Sequence, residues 1–149
     1  MSDSLDVIIV DDDPTVCDLV SLIIKRFYTW GQVLSFTSTE EAIDYCQNSK
    51  AAVAIFILDV FMGDETGFSF LEAIIDKFPM AFQDTIIITG NASDEVVNMC
   101  IASDITFLIE KPIRPYALQL SVRAIVAKYI KFAKKLLLDP SLAECVASF

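Results

Sequence analysis

Asp11-Asp12-Asp13 follows directly on the apolar run Val7-Ile8-Ile9-Val10, and Asp59 stands in the same place behind the apolar run Val53 to Leu58. Carboxylates gathered at the ends of buried strands repel one another and lose hydration. Such a cluster is kept where something binds or reacts, and hard oxygen donors of this kind suit a divalent cation together with a phosphoryl group. The chain has no histidine, which removes the commonest general base and metal ligand. Its chemistry therefore runs on carboxylates, hydroxyls and lysine. Asp13 precedes Pro14 and reads as a helix-starting acid. Helix capping does not explain the other two acids behind a buried strand, so Asp11 and Asp12 are candidate ligands.

Four continuous apolar runs, Asp6–Val10, Val53–Leu58, Thr85–Thr89 and Ile105–Ile109, are expected to be central parallel strands covered on both faces. A weaker run, Val33–Phe36, reads as an edge strand. Helical patterns lie between them. Val16, Leu19, Val20, Ile23, Ile24 and Phe27 form a one-sided stripe after Pro14. Ser38-x-x-Glu41 is a capping box before a helix at Thr39–Asn48. Further helices are expected at Gly67–Phe78, where Pro79 stops the run, at Ser93–Ala102, and from Pro115 through Leu138. Strand and helix alternate five times, which predicts an α/β fold, a doubly wound five-stranded parallel sheet with five helices. It is flavodoxin-like, with strand order 2-1-3-4-5, and its ligand crevice lies at the carboxyl ends of the strands. Asp11, Asp12, Asp59, Thr89 and Lys111 all fall at that rim.

The chain has 149 residues, 54% of them hydrophobic, and a net charge of −10. The length suits one domain, expected over residues 1–138 with 139–149 as a tail. No apolar stretch reaches membrane-spanning length. The acidic start, Met1 to Asp6, lacks the basic region of a secretory signal, so a cytoplasmic protein with no membrane partner is expected. The negative charge argues against direct nucleic-acid binding. The four cysteines fit no zinc or CxxC spacing; Cys17, Cys46 and Cys100 read as small core hydrophobes. Five of the eleven basic residues, Arg123, Lys128, Lys131, Lys134 and Lys135, lie on the last helix. They read as a solvated face, as a contact surface for an acidic partner, or as the first part of a helix leading to another module.

Val10-Asp11-Asp12-Asp13-Pro14, Leu58-Asp59-Val60-Phe61-Met62 with Gly67 downstream, Ile88-Thr89-Gly90 and Glu110-Lys111-Pro112 together resemble the response-regulator receiver domain, over about residues 5–130. The resemblance implies that Asp59 is phosphorylated by a sensor histidine kinase or phosphotransfer protein. It implies that Asp11, Asp12, Asp59 and the backbone carbonyl of Phe61 hold Mg2+. Thr89 would contact the phosphoryl group and Lys111 would pair with it. The product would switch a protein-interaction surface near the fourth and fifth helices, read by a downstream effector or output domain, with a homodimer through the same face as one form. Such a domain assists only its own phosphorylation and dephosphorylation and is not an enzyme in the ordinary sense. The chemistry agrees independently: an anionic nucleophile meeting an anionic phosphoryl group needs cations to neutralise and orient the approach.

Two positions depart from the family pattern. Leu108 stands where an aromatic switch residue is common, with Phe107 beside it, which puts an aromatic switch in doubt. Gly63 replaces a frequent proline, followed by Asp64 and Glu65, so a more mobile, more acidic loop beside the site is expected. Two other functions compete. Asp11-x-Asp13-x-Thr15 matches the opening motif of haloacid-dehalogenase-like phosphohydrolases, but beyond Lys111 the only acids are Asp139 and Glu144, wrongly placed for that family's metal pair. A non-phosphorylated pseudo-receiver would be a pure interaction module, yet every chemical position is intact. No G-x-G-x-x-G follows the first strand, which argues against a dinucleotide-binding fold.

Overall fold

The computed structural model describes residues 4–141 and Glu144; Cys145 and most of the expected tail lie outside the described residues. Strands β1 (Val7–Val10), β2 (Val33–Phe36), β3 (Ile55–Asp59), β6 (Thr85–Thr89) and β7 (Phe107–Glu110) form one sheet in the order β2-β1-β3-β6-β7. Every neighbouring pair in it is parallel. A short antiparallel hairpin, β4 (Phe61–Met62) and β5 (Glu65–Thr66), stands apart. With that hairpin set aside, the order is the expected 2-1-3-4-5. The helices are α1 (Pro14–Lys25), α2 (Thr39–Gln47), α3 (Gly67–Ile74), α4 (Asp94–Ala102) and α5 (Pro115–Leu138).

Alternation of side chains along each strand builds two cores. Ile8, Val10, Phe56, Leu58 and Ile87 face α2, α3 and α4. Val7, Ile9, Ile55, Ile57, Ile86, Ile88 and Ile109 face α1 and α5. Because both faces are covered, the strands read as continuous apolar runs rather than alternating ones.

The differences from expectation have local causes. α3 ends at Ile74, not Phe78. The amides of Lys77 and Phe78 both return to the Ile74 carbonyl, and the turn drops Phe78 into the core, edge-on to Phe56 at 5.5 Å. Pro79 disfavours helical backbone at Phe78 in any case. β7 starts at Phe107 rather than Ile105, because the Ile105 amide donates to Cys100 at the end of α4. Asp104, at φ 61°, takes the left-handed turn that permits this. Cys17, Cys46 and Cys100 are buried and unpaired, as small hydrophobes should be.

Gly67 opens α3 directly under Asp59. A Cβ at this position would lie 2.7 Å from the Asp59 carbonyl oxygen, a contact that backbone can relieve only by moving. Gly67→Ala is expected to cost about 1–3 kcal/mol, the usual range for overpacking. Chemical denaturation checks the stability, and a shift in the Asp59 amide resonance checks the displacement.

Candidate phosphoryl-transfer site

Register brings the acids together. Val10 pairs with Leu58, so Asp11 and Asp59 each stand one residue beyond that pair on strands about 4.8 Å apart. Asp12 follows at the mouth of the loop. One oxygen from each of Asp11, Asp12 and Asp59 lies within 4.8 Å of the others. On the other side of β3, Thr89 pairs with Glu110, and the Lys111 amide donates to the Thr89 carbonyl at 2.8 Å. Alternation turns Asp11, Asp59 and Lys111 toward the α1/α5 side of the rim. The Lys111 ammonium then lies 3.2 Å from Asp59 Oδ2 and 3.7 Å from Asp11 Oδ2. The Lys111-Pro112 peptide bond is cis.

The electrostatics follow from burial. Asp11 is 2% exposed. Loss of hydration is the main cause that pushes its carboxyl up to about 6; the Asp13 amide, which donates to Asp11 Oδ1 at 2.9 Å, opposes this, and the charge of Asp59 adds to it. Burial acts to lower the Lys111 ammonium, but Asp11 and Asp59 together overcome it and hold Lys111 above the ordinary lysine value. Lys111 is thus a fixed cation neutralising part of a crowded acidic cluster. Asp13 takes no part in the cluster: its carboxylate accepts from the Thr15 amide at 2.9 Å and caps α1.

The five residues singled out at the rim divide into a tight group and a flank. Asp11, Asp12, Asp59 and Lys111 converge. Thr89, 1% exposed, ends β6 beside them, its hydroxyl oxygen accepting from the Asn91 amide at 3.3 Å. The Phe61 amide donates to Asp59 Oδ1 at 3.4 Å, while its ring is exposed. Gly90 leaves the approach open: a Cβ there would meet only Lys111 Cδ, at 3.9 Å. Gly63 turns a hairpin instead of an open loop, at φ 64°, a conformation that proline cannot adopt. Leu108 packs into the α2–α4 core and Phe107 into the opposite one, so no aromatic side chain occupies the switch position.

Sequence reasoning missed two supports of the site. Asn91 positions the Thr89 hydroxyl through its main chain, which no residue type could signal. The Cys17 thiol donates to the Asp11 carbonyl at 3.3 Å; the helical spacing marked it only as core.

The sequence pattern of the response regulator receiver domain matches residues 7–123. Regulatory protein VanR of Enterococcus faecium is 32% identical over 136 residues, covering 89% of this chain and 54% of that protein. Transcriptional regulatory protein CitT of Halalkalibacterium halodurans is 25% identical, covering 87% and 55%. The chain spans about half the length of these relatives. Among solved structures, the receiver domain of a putative Luxo repressor protein from Vibrio parahaemolyticus superposes with a TM-score of 0.73 at 23% identity, covering 89% of this chain and 97% of that one. A receiver domain protein from Clostridium thermocellum gives 0.73 at 19%, covering 89% and 98%. These two structures show the shared fold. The chain belongs to the response regulator receiver domain family, the signalling modules of two-component systems.

Asp11 supplies a test of the electrostatics. A carboxyl raised from 3.8 to about 6 on folding binds more protons in the native state than in the unfolded state between those values. Its penalty is absent below the unfolded pKa, grows as pH rises from 4 to 6, and is complete above 6. In chelator, Asp11→Asn is therefore expected to be more stable than the parent by about 2–3 kcal/mol at pH 7. Thermal melts should show that advantage opening between pH 4 and 6.

Proposed function

We propose that Asp59 is the phosphoacceptor, that Asp11, Asp12, Asp59 and the Phe61 carbonyl hold Mg2+, and that Thr89 and Lys111 receive the phosphoryl oxygens. The carrying observation is the convergence of three carboxylates within 4.8 Å under one lysine ammonium. An all-oxygen donor set, free of histidine and thiolate, fits a hard divalent cation. When bound, Mg2+ supplies the positive charge that lets two anions approach.

In this reading an Asp59 carboxylate oxygen attacks the phosphorus of a phosphohistidine on a sensor kinase or phosphotransfer protein. The P–N bond breaks, its electron pair stays on the imidazole, and an acyl phosphate forms. Lys111, already 3.2 Å from Asp59 Oδ2, exchanges that partner for a phosphoryl oxygen. The Thr89 hydroxyl donates to another. Water later hydrolyses the acyl phosphate, so the chain assists only its own modification. The domain runs through α5, residues 1–138, with 139–149 as a tail. Its readout is the α4/α5 face, where Ile101, Tyr116 and Leu120 are 68%, 68% and 71% exposed. An output domain, an effector or a second copy would bind there. Three unpaired buried cysteines suit a reducing, cytoplasmic compartment. Among the described residues no helix is long and apolar enough to cross a membrane.

The haloacid-dehalogenase reading finds no support, because Asp13, the second acid of its opening motif, caps α1 instead. The decisive experiment is intact mass spectrometry after incubation with acetyl phosphate and Mg2+. The parent is expected to gain one phosphoryl group, and chelator or Asp59→Asn to abolish the gain. An adduct of full yield on Asp59→Asn overturns the assignment.

A further inference from the structure

α5 continues past the end of the fold. Leu118, Val122 and Ile125 bury its inner face. The last anchor is at the foot of the sheet, where Asp84, 1% exposed, accepts from the Lys128 ammonium and the Tyr129 hydroxyl. Beyond Tyr129 the helix runs to Leu138 with every residue exposed except half-buried Leu136. That overhang is about 13 Å long.

Its cross-section is divided in two. At about 100° per residue, Tyr129, Ile130, Phe132, Ala133, Leu136 and Leu137 occupy one half. Lys128, Lys131, Lys134 and Lys135 occupy the other, joined by Leu138. Phe132 is 42% exposed and Leu137 84%. α5 bears five of the eleven cations of this acidic chain and none of its 21 acids. The same edge gathers more of both kinds. Lys25 and Arg26 end α1, and Trp30, 38% exposed, shares with Phe27, Val126 and Ile130 a groove of about 320 Å³.

We propose that this edge docks on an anionic lipid bilayer, with the α5 overhang lying in the plane of the interface. Its apolar half enters the boundary between headgroups and acyl chains, and its lysines reach back to lipid phosphates. A helix that is half apolar and half of one charge sign matches such a surface, which presents hydrocarbon beneath a sheet of negative charge. A second copy fits less well: two α5 overhangs side by side bring six lysines together, Lys131, Lys134 and Lys135 from each, with no acid within either helix to pair them. Two acids stand at the docking edge, Asp6, which accepts from the Gln32 amide, and Asp139, the residue after Leu138, while the acidic cluster lies at the other end of the sheet. Asp84 begins the strand region at the foot and Asp11, Asp12 and Asp59 close it at the rim, roughly 16 Å away along five residues, about twice the screening length of roughly 8 Å at physiological salt. The rim thus faces away from the lipid. The expectation of no membrane partner rested on the lack of a membrane-spanning apolar stretch, and a helix lying in the interface needs none.

The test mixes the 149-residue chain with vesicles of phosphatidylcholine alone and of an equal mixture of phosphatidylcholine and phosphatidylglycerol. Co-sedimentation and the emission of Trp30, the lone tryptophan, are read together. Binding is expected to the anionic vesicles only, with a blue shift of Trp30, and to weaken with added salt. Combining Lys131→Glu, Lys134→Glu and Lys135→Glu is expected to lower partitioning at least about tenfold. Phe132→Ser with Leu137→Ser is expected to abolish it. All five positions are exposed and remote from the rim, so melting temperature and acetyl-phosphate labelling should be unchanged, which separates this inference from the phosphoacceptor reading. No binding, equal binding to both vesicles, or full binding by the triple variant overturns it. So does a dimer in sedimentation velocity that Phe132→Ser with Leu137→Ser dissociates while vesicles are ignored, an outcome that assigns the face to a second copy.

Discussion

Mutual repulsion among Asp11, Asp12 and Asp59, countered by a single lysine, is the constraint on which the rim depends. Three carboxylates within 4.8 Å are costly in a partly buried site. Lys111 reaches two of them and leaves the cluster short of positive charge. Burial first, and then the charge of Asp59, raises the Asp11 carboxyl. In the reading proposed for this site, a divalent cation would remove a penalty that the fold already carries.

The rest of the fold supplies the rigidity that keeps like charges together. Isoleucine-rich strands, packed on both faces, hold neighbouring backbones at hydrogen-bonding distance. The acids cannot separate without breaking the β1–β3 pairing. The supports beneath are small and local: Asp13 bonds to Asp11 and caps α1, Gly67 lets α3 start under Asp59, and the Asn91 amide holds the Thr89 hydroxyl. None of these belongs to the carboxylate cluster, yet each fixes the backbone from which it or its flank projects.

The foot of the molecule has the opposite character. Asp84 is a buried acid that accepts hydrogen bonds from a lysine and a tyrosine, and it ties α5 to β6 where the helix leaves the body. Burial first, then the bond to Asp84, raises the Tyr129 hydroxyl well above its ordinary value, so it stays a donor at any physiological pH. One end of the sheet therefore carries the acidic cluster, and the other a basic, projecting helix.

The chain order of apolar runs and helical stripes determined the architecture, because parallel strands buried on both faces admit few arrangements and right-handed crossovers remove most of those. It also determined which residues stand at strand ends, since position after an apolar run is a local property. Element ends at Phe78 and Ile105 were not legible: a core vacancy beside Phe56 and an amide returning to Cys100 settled them, and both are long-range or turn effects. The hairpin at Gly63 escaped for the same reason, since its two-residue strands exist only by pairing. Distances among Asp11, Asp59 and Lys111, the pKa of Asp11 and the clamp at Asp84 were decided by tertiary structure alone. Register across three strands and exclusion of water are properties that no single segment of the chain possesses.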